Sequence, residues 1–154
     1  MQAVEYLNKL KWLESEIEKL EDEEKVLWSL ATSVTPNMDG MPHTSGESDK
    51  MTASVNRIIK AKEATVALKA EYALARQDIL AHIKMLPPKQ YDVLYWLYVK
   101  KRENRKKGQK WYYTWSEVAD NLGCSEENIR KTRRRAIKNL QKILDSEERL
   151  LEVG

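Results

Sequence analysis

The sequence predicts an all-α protein, in which a long, coiled-coil-like N-terminal helical hairpin is followed by a C-terminal helix-turn-helix domain. The chain of 154 residues contains only five Gly and four Pro, so few positions break a helix. Two long segments, 2–31 and 48–85, repeat apolar residues at helical spacing. A short segment with helix-capping residues and a tight turn follows near the C-terminus.

The first helix is predicted over residues 2–31, which contain neither Gly nor Pro. Its apolar residues alternate in the spacing that is typical of the seam of a coiled coil or a long helical hairpin. The seam consists of Ala3, Tyr6, Leu10, Leu13, Ile17, Leu20, Leu27 and Ala31, with Glu24 as the one polar interruption. The acidic residues off the seam are expected to be solvated, and binding of a basic partner is the alternative.

Residues 32–47 are predicted to form a loop, because turn-forming residues cluster there. Pro36 and Pro42 prevent a continuous helix, since proline lacks the N–H that a helical hydrogen bond requires. The segment is longer than most connections between helices, so we expect it to be either disordered or functional.

A second helix is predicted from Ser48, as its N-cap, to about Met85, with Asp49 in the first turn. Its apolar seam consists of Met51, Val55, Ile58, Ala61, Thr65, Leu68, Tyr72, Ala75, Ile79, Ile83 and Leu86. Two long helices joined by a loop are expected to fold back as an antiparallel pair. Because two helices alone bury little surface, a homo-oligomer through these N-terminal helices is a further expectation.

Pro87 and Pro88 end the second helix, and Pro88 suits the first position of the next one. That third helix carries Tyr91, Val93, Leu94, Leu97, Tyr98 and Val99 as its apolar residues. It runs into residues 100–110, in which seven of eleven side chains are basic: Lys100, Lys101, Arg102, Arg105, Lys106, Lys107 and Lys110.

Residues 114–144 have the signals of two helices joined by a tight turn. Thr114 and Glu117 form a capping box, and Gly123 suits the left-handed residue that stops the first helix. Ser125 is the expected cap of the second helix, which continues to about Leu144. The inner apolar positions are Val118, Ala119, Leu122, Ile129, Ala136, Ile137, Leu140 and Leu144. The opposite face of the second helix is strongly basic, as a recognition helix requires.

The positive charge is concentrated in one third of the chain. Residues 1–97 carry 12 Lys or Arg and 15 Asp or Glu, a net −3, whereas residues 98–142 carry 14 and 5, a net +9. Residues 143–154 return to a net −3. This pattern indicates either a module that binds a polyanion or a solvated basic surface.

Double-stranded DNA is the partner that this basic helix predicts. Residues near the start of a recognition helix reach base edges, where Arg pairs with guanine, Asn with adenine and Glu with cytosine. The candidates for base contacts are Glu126, Glu127, Asn128, Arg130 and Lys131. The candidates for phosphate contacts are Arg133, Arg134 and Lys138, together with the seven basic residues of 100–110.

Several stretches resemble the promoter-recognition domain, region four, of bacterial sigma factors. They are LPPKQYDVL (86–94), WSEVA (115–119) and LGCSEENIR (122–130). With ATSVTP (31–36), Asp39-Gly40, Ser45-Gly46 and DKM (49–51), most of the chain is similar to small sigma-region-four-like proteins of bacteriophages of Gram-positive bacteria, the ArpU-like and RinA-like regulators. The chain departs from sigma factors in its expanded basic link, 101–113, and in Glu126, where a basic residue is common.

The resemblance implies a non-enzymatic regulator of transcription, such as a phage late-gene activator, in the cytoplasm of a bacterial host cell. It also implies host RNA polymerase as a second partner, which keeps open a role as a polymerase-binding adaptor or inhibitor. A phage DNA-packaging recognition subunit is the other alternative. No segment resembles the sigma domain that melts DNA, so opening of a promoter by this chain alone is not expected.

The remaining expectations concern domains and isolated residues. We expect a hairpin region over 1–85, a DNA-binding domain over 86–145 and an acidic tail over 146–154. No cofactor, metal site or membrane segment is expected, and the single cysteine, Cys124, is expected to fill the core. His43 and His82 are expected at the surface. The aromatic residues of 111–115 are expected to pack the core rather than to stack on bases.

Overall fold

The computed structural model describes the backbone of residues 1–32 and 45–153, and the side chains of residues 1–32 and 50–152. Its α-helices are α1 (Ala3–Thr32), α2 (Ser45–Ile83), α3 (Pro88–Leu94), α4 (Trp115–Leu122) and α5 (Glu126–Val153). A short π-helical segment, Tyr95–Val99, follows α3 directly. The described residues contain no β-strand, which confirms the predicted all-α class. Most of the predicted loop, including His43, lies outside the described residues.

The chain forms two compact units. The larger unit comprises residues 1–11 and 73–154, and the hairpin unit comprises residues 12–72. The first turns of α1 and the last turns of α2 thus belong with α3, α4 and α5. The predicted boundary between residues 85 and 86 separates two domains that would each fold independently. Independent folding is a different property from the division into compact units, so that boundary stays a prediction.

In the hairpin unit, α1 and α2 run antiparallel, as expected. Lys69 Nζ lies 3.0 Å from Glu21 Oε1, and Lys62 Nζ lies 3.9 Å from Glu24 Oε1, so later residues of α1 pair with earlier residues of α2. Leu13, Ile17, Ile58 and Thr65 are buried, and the Thr65 hydroxyl donates to the carbonyl of Ala61 at 3.0 Å. That hydrogen bond allows a polar residue at a seam position.

Two predictions about α2 are wrong. The helix begins at Ser45, three residues before the predicted cap Ser48, which therefore lies inside it. Met51 and Val55 were predicted in the buried seam, but they are 71 % and 48 % exposed. The seam of α2 is buried only from Ile58 onwards, so the two apolar side chains nearest the start of the helix lack cover from the described residues.

The larger unit packs α3 and α4 against the apolar stripe of α5, whose residues Ile129, Ala136, Leu140 and Leu144 are buried. Pro88 is the first residue of α3, as predicted. In the π-helical segment the N–H of Lys100 bonds the carbonyl of Tyr95 at 2.8 Å, five residues earlier. This wider turn allows the three consecutive side chains of residues 97–99 to be buried.

The turn between α4 and α5 is built from the predicted residues. The Thr114 hydroxyl accepts from the N–H of Glu117, and the Glu117 side chain accepts from the N–H of Thr114, which completes the capping box. Gly123 has φ 68°, the left-handed conformation, and ends α4. Ser125 Oγ then accepts from the N–H of Asn128 at 3.2 Å at the start of α5. Only three residues, 123–125, therefore separate the two helices.

The end of α5 differs from the prediction. The helix does not stop near Leu144 but continues to Val153, so the acidic residues of 146–153 are helical. The side chain of Gln141 accepts from the N–H of Ala3 at 2.7 Å and donates to the carbonyl of Met1 at 2.8 Å. The second half of α5 therefore holds the start of α1 through hydrogen bonds that no local sequence pattern predicts.

His82 is buried rather than at the surface, which corrects the expectation for this residue. Its Nε2 lies 2.6 Å from Glu147 Oε2, and its Nδ1 lies 2.8 Å from the carbonyl of Asp78 and 2.7 Å from the hydroxyl of Tyr6. The Tyr6 hydroxyl also bonds Asp78 Oδ2 at 2.6 Å. His82 thus joins α1, α2 and α5 within the larger unit.

A protonated His82 fits this cluster best, because both ring nitrogens then donate to oxygen atoms. Burial lowers the pKa of His82, but the hydrogen bonds and charges of Glu147 and Asp78 outweigh it and raise the pKa above the ordinary value of 6.5. Burial and the bond to Asp78 raise the pKa of Tyr6, so its phenol stays a donor. Protonation of His82 therefore favours the folded state.

We predict that this contribution disappears as the pH rises. A pKa raised on folding stabilises the protein fully below about pH 6.5, and the stabilisation is removed as the pH passes through the folded-state pKa. The midpoint of thermal unfolding, followed by circular dichroism, should fall over that range. His82→Gln should flatten the slope, with Glu147→Gln as the matched variant that keeps the imidazole. An unchanged slope in His82→Gln would contradict the assignment.

We also predict that Gly123→Ala lowers the free energy of unfolding by about 1–2 kcal/mol, because Ala resists the left-handed conformation. An added Cβ would meet no atom within 4 Å, so the cost comes from the backbone and not from a clash. Gly123→Asn should cost less, since Asn tolerates this conformation better. Urea unfolding of the three proteins measures the difference, and equal stability of the Ala and Asn variants would argue against backbone strain.

Candidate nucleic-acid interface

The first half of α5 presents a basic face opposite its buried stripe. Helical periodicity places Lys131, Arg134, Arg135, Lys138 and Lys142 on the side away from Ile129 and Leu140, and all five are exposed. The acidic residues of the helix lie in its first turn and in its second half. The basic face is therefore confined to residues 130–142, between the acidic first turn and the acidic second half of α5.

The predicted base-contact residues are all exposed at the start of α5. Lys131 Nζ lies 3.5 Å from Glu127 Oε1, an exposed pair one helical turn apart that contributes little to stability and separates readily. Arg130 lies with its guanidinium carbon 6.0 Å from the ring centroid of Trp115, the first residue of α4. Glu126 and Asn128 complete the exposed first turn.

Arg133 is more strongly held than the other arginines of α5. Its Nε donates to the Tyr98 hydroxyl at 2.7 Å, and its guanidinium lies 5.3 Å from the ring centroid of Trp115 and 5.8 Å from that of Tyr98. The Arg133 side chain is half-buried. Trp115 therefore helps to hold Arg133, whereas the exposed Arg130 lies at the outer limit of a cation–π contact with the same ring.

The predicted basic run forms a short hairpin, which we call the basic hairpin (residues 101–112). Lys101 and Tyr112 form an antiparallel bridge, and the N–H of Arg102 donates to the carbonyl of Trp111 at 2.8 Å. Gly108, with φ 87°, allows the turn at its tip. Residues 103–110 are all exposed, so Arg105, Lys106, Lys107 and Lys110 project from the surface of the larger unit.

Arg102 anchors the basic hairpin to α4. Its guanidinium forms a two-pronged ion pair with the carboxylate of Glu117, and its Nε donates to the carbonyl of Lys110 at 3.0 Å. The hydrogen bonds from Arg102 lower the pKa of Glu117 to about 2, and the bonds from Thr114 add to this effect. Because three of its five N–H donors bond within the protein, Arg102 positions the hairpin and is less available for a phosphate than the exposed cations of residues 105–110.

Aromatic rings at the base of the basic hairpin support three further cations. Lys100 Nζ lies 3.8 Å from the ring centroid of Trp96, and the guanidinium of Arg105 lies 4.5 Å from that of Trp111. Lys101 Nζ lies 5.6 Å from the Trp111 centroid. The aromatic residues of 111–115 are half-buried, so they pack partly on the protein and partly against these cations.

Lys11 is a basic residue near this surface that the sequence patterns did not indicate. Its Nζ lies 4.9 Å from the ring centroid of Tyr98 and 5.0 Å from that of Tyr112. Burial lowers the pKa of Lys11, and the charges of Arg133 and Lys110 lower it further. Lys11 lies on α1, far from α5 and the basic hairpin in the sequence, so its interaction with them arises only on folding.

The described residues hold no group of three or more His, Cys, Asp or Glu side chains that could bind a metal ion. Among the same residues, the helices are too short or too polar to span a bilayer. Cys124 is partly buried in the turn between α4 and α5. The side chains that this surface presents are cations and hydrogen-bond donors, several of them beside aromatic rings.

Comparison of the chain with protein-family models, with curated proteins and with solved structures finds no match.

Proposed function

We propose that this protein binds double-stranded DNA in a sequence-specific manner and regulates transcription, as a phage late-gene or sigma-like regulator. The observation that carries the proposal is the tight turn that joins α4 to α5 and leaves the polar face of the first turns of α5 exposed, where Arg130 and Lys131 follow the acidic first turn. In a helix-turn-helix motif, that part of the second helix enters the major groove. The geometry of the turn is set by the capping box and by Gly123.

The two basic elements have different roles in this proposal. Arg130, Lys131 and Asn128 read base edges from the start of α5. Their side chains carry N–H donors for the acceptor atoms of guanine and adenine in the major groove. The basic hairpin contacts phosphates, which adds affinity without reading sequence. Arg133 and Lys100 stay near their aromatic partners and contribute positive potential, and Arg134 and Lys138 reach phosphates further along α5.

The runner-up is a polymerase-binding adaptor or inhibitor that makes no base contacts, and a DNA-packaging recognition subunit is the other alternative. Arg105, Lys106 and Lys107 favour a nucleic acid over a protein partner, since they are exposed together in one short loop. A polymerase adaptor would bind polymerase tightly and show no preference among duplexes. A packaging subunit would form a ring-sized oligomer in solution.

The deciding experiment is selection of bound duplexes from a random pool at near-physiological salt, followed by sequencing. The proposal expects an enriched motif, and the symmetry of that motif reports whether one module or two bind. Absence of enrichment, together with binding that disappears as salt rises, would leave only charge-driven contact and would favour the adaptor.

We predict that Arg130→Ala weakens binding to the selected site and relaxes base preference at one position by about 1–3 kcal/mol. Binding of duplexes with each base at each position, measured by fluorescence anisotropy, tests this. Arg149→Ala is the matched control, because Arg149 is an exposed arginine in the acidic second half of α5, outside the basic face. An equal loss on all duplexes for Arg130→Ala would defeat the base-reading assignment.

Neutralising Arg105, Lys106 and Lys107 together to Gln should instead weaken all duplexes alike. The slope of log affinity against log salt should become shallower by roughly 1 for each phosphate that these side chains neutralise in the unaltered protein. Circular dichroism should stay unchanged, because the three side chains are exposed. A loss of affinity restricted to the selected site, with an unchanged salt slope, would place the basic hairpin in sequence readout.

A further inference from the structure

The hairpin unit carries an exposed apolar stripe on α2 that is separate from its buried seam. Val55, Ile59 and Val66 are 48 %, 46 % and 66 % exposed, and helical spacing places them on one face together with Ala70. Ile59 and Val66 line a shallow groove with Lys62, Glu63 and Ala67. We call these residues of α2, from 55 to 70, the outer stripe.

The outer stripe is not isolated from α1. Lys62 Nζ lies 5.5 Å from the ring centroid of Trp28 and 3.9 Å from Glu24 Oε1, so one residue of the outer stripe reaches two side chains of α1. Trp28 is itself 47 % exposed. The outer stripe is therefore linked to α1 at Lys62, next to a large exposed aromatic side chain.

Four apolar residues of the outer stripe are placed symmetrically about the point between Lys62 and Glu63. Ile59 and Val66 are equally far from that point, and so are Val55 and Ala70. The centre itself pairs one positive side chain with one negative side chain. A surface with this property is complementary to its own copy rotated by a two-fold axis, which is the requirement for an isologous dimer interface.

We propose that the outer stripe is a homodimer interface in which α2 packs antiparallel against α2 of a second copy. Ile59 then contacts Val66 of the second copy, and Lys62 contacts its Glu63, each contact occurring twice. Ala67 and Ala70 allow the two helices to approach closely. The stripe is about 24 Å long at 1.5 Å per residue, so the interface belongs to the small class and the dimer is expected to be reversible.

A second copy explains the surface better than an unrelated partner because the charge pattern is self-complementary. A partner with a uniformly acidic or basic surface would leave either Lys62 or Glu63 facing a like charge. The proposal does not depend on DNA binding, and it is tested without DNA. A result that contradicts the homodimer therefore does not contradict DNA binding, and the reverse also holds.

The first test is sedimentation equilibrium of the full chain over a series of concentrations. We expect a monomer–dimer equilibrium. Ile59→Asp should raise the dissociation constant by about tenfold or more, because it would place a carboxylate in the centre of an apolar contact. Val66→Asp is an independent second variant with the same expected result. Val26→Asp is the matched control, since Val26 is 50 % exposed but lies on α1.

The second test is a charge exchange. Glu63→Lys should weaken the dimer, because each copy then presents two lysines at the axis. Lys62→Glu combined with Glu63→Lys should restore association, because the opposite charges again face each other across the two-fold axis. Circular dichroism of each variant checks that the helices persist, which matters for Lys62→Glu because of the nearby Glu24.

Three results would overturn the proposal. One is a chain that stays monomeric at every concentration that remains soluble. Another is a dimer that Ile59→Asp and Val66→Asp leave intact. The third is a helical double charge variant that associates no better than Glu63→Lys, since this would exclude the antiparallel register. If the double variant loses helicity, the results with Ile59→Asp and Val66→Asp decide whether the outer stripe is the dimer interface.

Discussion

The arrangement of the candidate interface depends on the hydrogen bonds and the ion pair that the carboxylate of Glu117 forms. This carboxylate accepts from the backbone and hydroxyl of Thr114, which starts α4, and it binds the guanidinium of Arg102, which fixes the base of the basic hairpin. One acidic side chain within a highly basic third of the chain thus orders two elements at once. Because its pKa is held at about 2, it stays ionised throughout the neutral and mildly acidic pH range.

Signals that act over a few residues predicted this fold well. The capping box, the left-handed Gly123 and Pro88 at the start of α3 each depend on the local backbone, and all three lie where expected. The contacts of His82 and Lys11 were not predicted, because their partners are far along the chain and become neighbours only through packing. The candidate contacts on α5 followed from helical periodicity, whereas their aromatic supports depended on tertiary structure.

The cations of this surface differ in how firmly they are held. Arg102 and Arg133 have hydrogen-bond partners within the protein, and Lys100 lies against an indole ring. Arg134 and the tip of the basic hairpin are exposed. Pre-positioned side chains lose little conformational entropy on binding, and exposed ones adapt to a flexible polyanion. Under the proposed function, the surface therefore combines side chains that are held in place with side chains that are free to adapt to the DNA.

The π-helical segment has a consequence for how this chain can change in evolution. A π turn holds one residue more than the α-helical turn that it replaces, and here it leads directly into the basic hairpin. Deleting one residue from 95–99 would therefore give an ordinary α-helical turn, and the chain would leave the helix in nearly the same direction. The segment is equivalent to an α-helix that has taken up one inserted residue without turning the chain that follows. The length of this segment is thus free to change by one residue among descendants of the chain, while the basic hairpin still starts from the same place.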